Sequence, residues 1–122
     1  MIIVADDHAD VRLMVKSILE RSGYEVEVVS DGDQALALAR QKVPQLIVLD
    51  IMMPQMNGLE VLVQLRGHDE TRSIPVILLT GKTLGTDAAA AFGLGADYYI
   101  AKPFDVEQLL CGVRTLLPAR LW

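Results

Sequence analysis

Cysteine occurs once in this 122-residue chain, at Cys111, so no disulfide can form within it. Its apolar neighbours Leu109, Leu110 and Val113 make a small core residue the expectation there, not a reactive thiol, and a reducing cytosol fits. Long hydrophobic runs are missing too. No stretch approaches the roughly 18 consecutive apolar residues of a membrane span, and Asp6 and Asp7 interrupt the apolar start before a signal-peptide core can form. The expectation is a soluble, cytoplasmic protein with no membrane partner. Basic clusters are absent: 11 Lys and Arg stand against 16 Asp and Glu, for a net charge of −5 and a pI near 4.8. Such a chain repels a phosphate backbone and offers no basic patch to release counterions from it, which argues against direct nucleic-acid binding. Repeats, low-complexity tracts and linkers are lacking as well. One domain over residues 1–122, long enough for a single core, is what remains.

Apolar residues make up 52% of the chain and charged ones 22%, a globular balance. Four short apolar runs stand out: Ile2 to Ala5, Leu46 to Leu49, Val76 to Leu79 and the weaker Tyr98 to Ala101. Continuous apolarity predicts strands buried on both faces. Glu25 to Val29 alternates and reads as a strand nearer an edge. Between these runs the period becomes helical. Val11, Met14, Val15, Ile18 and Leu19 form one apolar stripe that ends before Gly23, a C′ glycine. Asp33 to Gln41, the stretch after Asn57-Gly58 carrying Leu59, Val61, Leu62 and Leu65, and the alanine-rich 87–94 form three more helices. Asp105 then caps a fifth helix running through Leu117. Five alternations of strand and helix predict an α/β fold, a doubly wound five-stranded parallel sheet with helices on both faces. Ligands of such sheets sit beyond the carboxyl ends of the strands.

Those ends hold Asp6 and Asp7 after the first strand, Asp50 after the third, Thr80 after the fourth and Lys102 after the fifth. Singly, each has a plain explanation: Asp is common in turns and caps, Thr ends strands, and Lys is usually solvated. Together, three carboxylates crowded at one edge repel one another unless a cation or proton compensates. Oxygen-only ligands favour Mg²⁺ or Mn²⁺, and Mg²⁺ commonly bridges to a phosphate. A carboxylate such as Asp50 can attack phosphorus to form an acyl phosphate, with Lys102 and Thr80 stabilising the phosphoryl oxygens.

The Asp-Asp pair at 6–7, V-L-D-I-M-M-P at 48–54, N-G at 57–58, L-L-T-G at 78–81 and G-A-D-Y-Y-I-A-K-P-F at 95–104 together resemble a response-regulator receiver domain of two-component signalling. The resemblance spans essentially the whole chain, and five separated motifs in the right order are specific. It implies a flavodoxin-like strand order, 2-1-3-4-5, and a phosphoacceptor switch that is not an enzyme. By the same resemblance Asp50 is the phosphoacceptor, Asp7 a direct Mg²⁺ ligand, Asp6 a partner acting through metal-bound water, and the Met52 backbone carbonyl a further ligand. Lys102 would contact the phosphoryl group, ahead of a cis Lys102-Pro103 bond. Thr80 and Tyr99 would form the switch, with Tyr98 the competing aromatic. Implied partners are a histidine kinase or phosphotransfer protein, a second copy of the chain, and a downstream protein or output domain reading the face of the fourth helix, fifth strand and fifth helix.

Some positions depart from the commonest pattern. His8 follows the acidic pair where a carboxylate is frequent; it reads as a solvated loop histidine, the alternative being a group that titrates near neutral pH and perturbs metal binding, and His68, in a polar loop, reads as inert. Met52 and Lys82 flank the pocket, and neither positions an attacking water, which predicts slow self-dephosphorylation. Glycines 81, 85, 93 and 95 bracket the fourth helix, either as a mobile segment or as ordinary turns and caps. Three alternatives have distinct requirements. A phosphatase of the haloacid-dehalogenase type wants a second Asp where Met52 stands. A flavodoxin-like cofactor module wants a hydroxyl- and glycine-rich loop where Asp6 to Asp10 stand. A phosphorylation-independent docking or dimerising receiver would not need the intact acidic set.

Overall fold

The computed structural model describes residues 1–81, 93 and 95–117. Five parallel strands, β1 (Ile2–Ala5), β2 (Val26–Val29), β3 (Leu46–Asp50), β4 (Val76–Thr80) and β5 (Tyr98–Ala101), form one sheet in the order β2-β1-β3-β4-β5. The helices are α1 (Ala9–Arg21), α2 (Gly32–Lys42), α3 (Gly58–Arg66) and a last helix, α4 (Val106–Leu116), which is the one expected after Asp105. The helix expected over 87–94 lies outside the described residues, apart from Gly93. So do Lys82 and Gly85.

Each face of the sheet is covered. Ile3, Ile47, Leu49 and Leu78 point toward α2 and α3, where Ala35, Ala39, Val61, Leu62 and Leu65 complete one buried cluster. Ile2, Val4, Val48, Ile77 and Leu79 point the other way, onto Val15 and Leu19 of α1 and Leu109 and Val113 of α4. Burial on both faces is why the central strands read as unbroken apolar runs. Strand β2 lies at the sheet edge, with only Val26 buried, matching its alternating sequence.

Local signals set the helix ends. Gly23 takes φ 95° after α1, and the N–H groups of Gly23 and Tyr24 return to the carbonyls of Glu20 and Leu19 at 3.0 and 3.1 Å, a Schellman closure. Asp31, Asn57 and Asp105 each accept a backbone N–H at the start of α2, α3 and α4. In the last two, Glu60 and Gln108 complete a capping box, which typically adds about 1 kcal/mol.

Cys111 is exposed, contrary to the expectation of a core residue. On α4 the buried positions are Leu109, Leu110, Gly112 and Val113, and residue 111 falls outside that stripe despite its apolar neighbours in sequence. Its Sγ lies 3.8 Å from the Tyr98 hydroxyl, which pushes the tyrosine pKa up.

Candidate functional site

The strand register gathers the polar residues. Ala5 pairs with Leu49, so Asp6 and Asp50 follow side by side. Asp50 pairs with Leu79 and Thr80 with Ala101, which brings Thr80 and then Lys102 to the same edge. Asp6, Asp50 and Thr80 are buried, while Asp7 is more exposed. Lys102 joins the set from the far strand, its Nζ 2.8 Å from Asp6 Oδ2 and 3.4 Å from Asp50 Oδ2. The Lys102-Pro103 peptide that follows is cis.

Asp50 is 2% exposed. Its Oδ1 accepts the Met52 N–H at 3.2 Å, whereas Oδ2 has no hydrogen-bond partner among the described residues. Burial, then the neighbouring charge of Asp6, pushes its carboxyl from the ordinary 3.8 up to about 6, against the opposing pull of Lys102 and the Met52 N–H. Burial acts to lower the Lys102 pKa, but its hydrogen bond to Asp6 and the charges of Asp50 and Asp6 outweigh this and raise it. Among the described residues one ammonium therefore serves two buried carboxylates, closely for Asp6 and at longer range for Asp50, whose Oδ2 accepts no hydrogen bond. An unfilled acceptor of that kind, beside a second and third carboxylate, is what a hard oxygen-seeking cation requires. The donor set fits such an ion.

The loop after β3 is held against the site. Gly58 donates to the Ile51 carbonyl at 2.9 Å, and a methyl group at Gly58 would run into the Asp50 carbonyl and the Ile51 Cα. Gln55 in the same loop adopts φ 69°. A cavity of about 430 Å³ opens here, lined by Asp7, Met52, Met53, Pro54 and Asn57, and the Met52 side chain is largely exposed beside it.

Thr80 and Tyr99 share one face of the sheet, because Tyr99 pairs with Leu78, two residues before Thr80. Tyr98 faces the opposite side, packed with Ile100 in the cluster under α4. The Thr80 hydroxyl donates to the Gly81 carbonyl at 3.0 Å. Tyr99 is half-buried.

Two neighbours of the acidic pair escape a linear reading. The Arg12 Nη1 donates to the Asp6 carbonyl at 2.7 Å. The one hint is its place a turn into α1, with its backbone N–H on the His8 carbonyl at 3.1 Å. His8 is solvated, its side chain 65% exposed, yet Nδ1 stands 3.2 Å from Asp6 Oδ1 and 3.1 Å from Asp7 Oδ1. The exposure is as expected for a loop histidine, and the ring stands beside both carboxylates. Asp6, Asp7, His8 and Asp50 each place one donor atom within 4.8 Å of the others.

The family model described as the response regulator receiver domain matches residues 2–114. The chain is 42% identical over 116 residues to the DNA-binding dual master transcriptional regulator RpaA of Synechocystis, covering 95% of this chain and 48% of that protein. It is 40% identical over 116 residues to the response regulator MprA of Mycobacterium tuberculosis, covering 95% of this chain and 50% of that one. The chain thus spans about half the length of the curated relatives it matches. Among solved structures, the receiver domain of NtrX from Brucella abortus superposes with a TM-score of 0.90 at 30% identity, over 98% of this chain and 100% of that one.

Proposed function

The chain belongs to the response-regulator receiver-domain family, and on that premise we propose that Asp50 accepts a phosphoryl group in a cation-dependent reaction that switches a protein-binding surface. The observation that carries this reading is the buried Oδ2 of Asp50, which accepts no hydrogen bond among the described residues and is ion-paired with Lys102 Nζ at 3.4 Å.

The Met52 N–H fixes Oδ1, which leaves Oδ2 as the nucleophile. Oδ2 attacks phosphorus and forms the acyl-phosphate bond, while the bond from phosphorus to the donor breaks and the leaving group departs with its electron pair and takes up a proton. The donor is the phosphohistidine of a histidine kinase or phosphotransfer protein, encountered in the cytoplasm. Asp6, Asp7, Asp50 and the Met52 carbonyl would hold Mg²⁺ or Mn²⁺, which when bound would supply positive charge for the phosphoryl oxygens. Asp7, the more exposed carboxylate, suits direct ligation; both oxygens of Asp6 are already engaged by Lys102 and His8. Lys102 turns from Asp50 to the new phosphoryl oxygens as that carboxylate loses its charge. Hydrolysis of the acyl phosphate returns Asp50 to its starting state, so the chain is a switch that assists its own phosphorylation and dephosphorylation and not an enzyme acting on a separate substrate.

Readout passes through Thr80 and Tyr99. Exchanging the bond to Gly81 for one to the phosphoryl group draws the Thr80 hydroxyl inward, and Tyr99, on the same face, moves into the space released. The surface so altered includes β5 and α4, and a downstream protein, an output domain or a second copy of the chain reads it.

Intact mass spectrometry after incubation with acetyl phosphate and Mg²⁺ tests the proposal. One phosphoryl adduct is expected, dependent on Mg²⁺ and absent in Asp50→Asn. No adduct under conditions that preserve acyl phosphates would favour the phosphorylation-independent docking receiver.

A further inference from the structure

His8 is accounted for neither by the strand ends nor by helix formation. It occupies the N-cap of α1 without its side chain capping anything, where Ser, Thr, Asp or Asn is the usual choice. Its imidazole turns back instead, with Nδ1 3.2 Å from Asp6 Oδ1 and 3.1 Å from Asp7 Oδ1. Four donor atoms, from Asp6, Asp7, His8 and Asp50, thereby lie within 4.8 Å of one another. Around an ion with ligands at about 2.1 Å, neighbouring donors stand about 3 Å apart and opposed ones about 4 Å. The spread seen here is close to a coordination shell.

A second observation is independent of that crowding. Asp50 Oδ2 is a carboxylate oxygen in a residue 2% exposed, with no hydrogen-bond partner among the described residues and the Lys102 ammonium, which is shared with Asp6, at 3.4 Å. Buried polar atoms left this way point to a missing partner.

Resting on the reading of this pocket as a cation site, we infer that His8 is a further side-chain ligand beside Asp7 and Asp50, through Nδ1, and shifts the pocket from Mg²⁺ toward first-row transition ions such as Mn²⁺ and Co²⁺. Oxygen donors suit Mg²⁺, which sheds water reluctantly and gains little from nitrogen. Imidazole adds affinity along the series from Mn²⁺ to Co²⁺. The ring is mostly solvent-exposed, so small adjustments into the shell displace no core residue.

Two measurements on the intact chain test this. Pulsed electron paramagnetic resonance of the Mn²⁺-loaded protein should show nitrogen modulation from a coordinated imidazole, lost in His8→Ala and in His8→Asn, the second of which keeps a good N-cap. Calorimetric titration should show the Co²⁺ affinity falling about tenfold in both variants, with the Mg²⁺ affinity changed by less than about twofold. Absence of nitrogen modulation in the wild type, or an unchanged ratio of Co²⁺ to Mg²⁺ affinity in both variants, would overturn the inference. Asp7→Ala separates the two layers. If it abolishes binding of both ions while the His8 variants keep the wild-type ratio, the pocket reading stands and the His8 inference falls. If Asp7→Ala binds both ions like the wild type, the pocket reading itself falls.

Discussion

Replacing Asp50 with asparagine is expected to stabilise the metal-free protein at neutral pH. The folded chain holds the Asp50 carboxyl at about 6, some two units above its ordinary 3.8. At about 1.4 kcal/mol per unit, the ionised group opposes folding by at most about 3 kcal/mol. Loss of the Lys102 attraction and solvent screening at the mouth of the pocket reduce the expected gain to about 1–2 kcal/mol, or about 4–8 °C in melting temperature for a domain of this size. The sign follows from linkage. A carboxyl whose folded pKa lies above its unfolded one favours the folded state when protonated, so the penalty is full above about pH 6 and gone below about pH 4. Thermal melts of both proteins in EDTA across that range measure the effect. The gap between them should be widest at neutral pH and close toward pH 4. An asparagine variant no more stable than wild type at neutral pH, or a gap that ignores pH, would refute the account of Asp50 as an unwillingly buried charge.

Lys102→Ala removes the one ammonium that, among the described residues, lies within reach of Asp6 and Asp50 and should destabilise the metal-free protein by about 2–4 kcal/mol, with much of the loss recovered in millimolar Mg²⁺; denaturant titration with and without the ion checks both parts. Arg66 donates to the carbonyls of Gly95, Arg72 and Ile74 and to Asp97, so Arg66→Ala should cost about 2–4 kcal/mol and Arg66→Lys, lacking the planar fork, should restore less than half on the same titration. Gly58→Ala drives a methyl group into the Asp50 backbone and should both destabilise the fold by about 2–3 kcal/mol and slow phosphorylation by acetyl phosphate; a normal rate would show that the loop after β3 does not position Asp50. Met52 and Lys82 carry no carboxylate or amide that could orient an attacking water, so the acyl phosphate is expected to outlast a free acyl phosphate at the same pH, measured by loss of the adduct mass.

Strands β1 and β5 run over the residues that their apolar runs predict, while β3 and β4 each extend one residue further, to Asp50 and Thr80. The reason is physical. Apolarity marks the part of a strand covered by helices, but the ladder of backbone bonds continues past it, through Asp50 to Leu79 and Thr80 to Ala101. Helix ends were legible where a side chain or a glycine performs the local chemistry, as at Gly23, Asn57 and Asp105. Cys111 was misjudged because neighbours in sequence are not neighbours on a helix: the phase of the stripe, not the average apolarity around a residue, decides its burial. Contacts that close over long separations leave no local pattern. The Arg66 guanidinium reaches Gly95, 29 residues away, and the His8 ring folds back on the carboxylates through a turn whose conformation no periodicity records.

The residues proposed for the chemistry are those where the hydrophobic pattern breaks, and the break is energetically visible. A β-strand that ended in another apolar residue at position 50 would remove a buried carboxylate and one unsatisfied oxygen, and the fold would gain by it. Asp50 is tolerated because Lys102 and the surrounding strands hold it, not because it contributes to stability. The same imbalance would give the proposed cation its binding energy: an ion that neutralises the pair of Asp50 and Asp6 would relieve a penalty already present in the folded chain, so metal affinity and the deficit in stability would be two readings of one electrostatic strain. The proposed phosphorylation would change that strain again at the same carboxylate. A site that is electrostatically incomplete is therefore well placed to act as a switch, since adding or removing charge at Oδ2 alters what Lys102 and Thr80 must satisfy, and through Thr80 it reaches the face of the sheet that carries Tyr99.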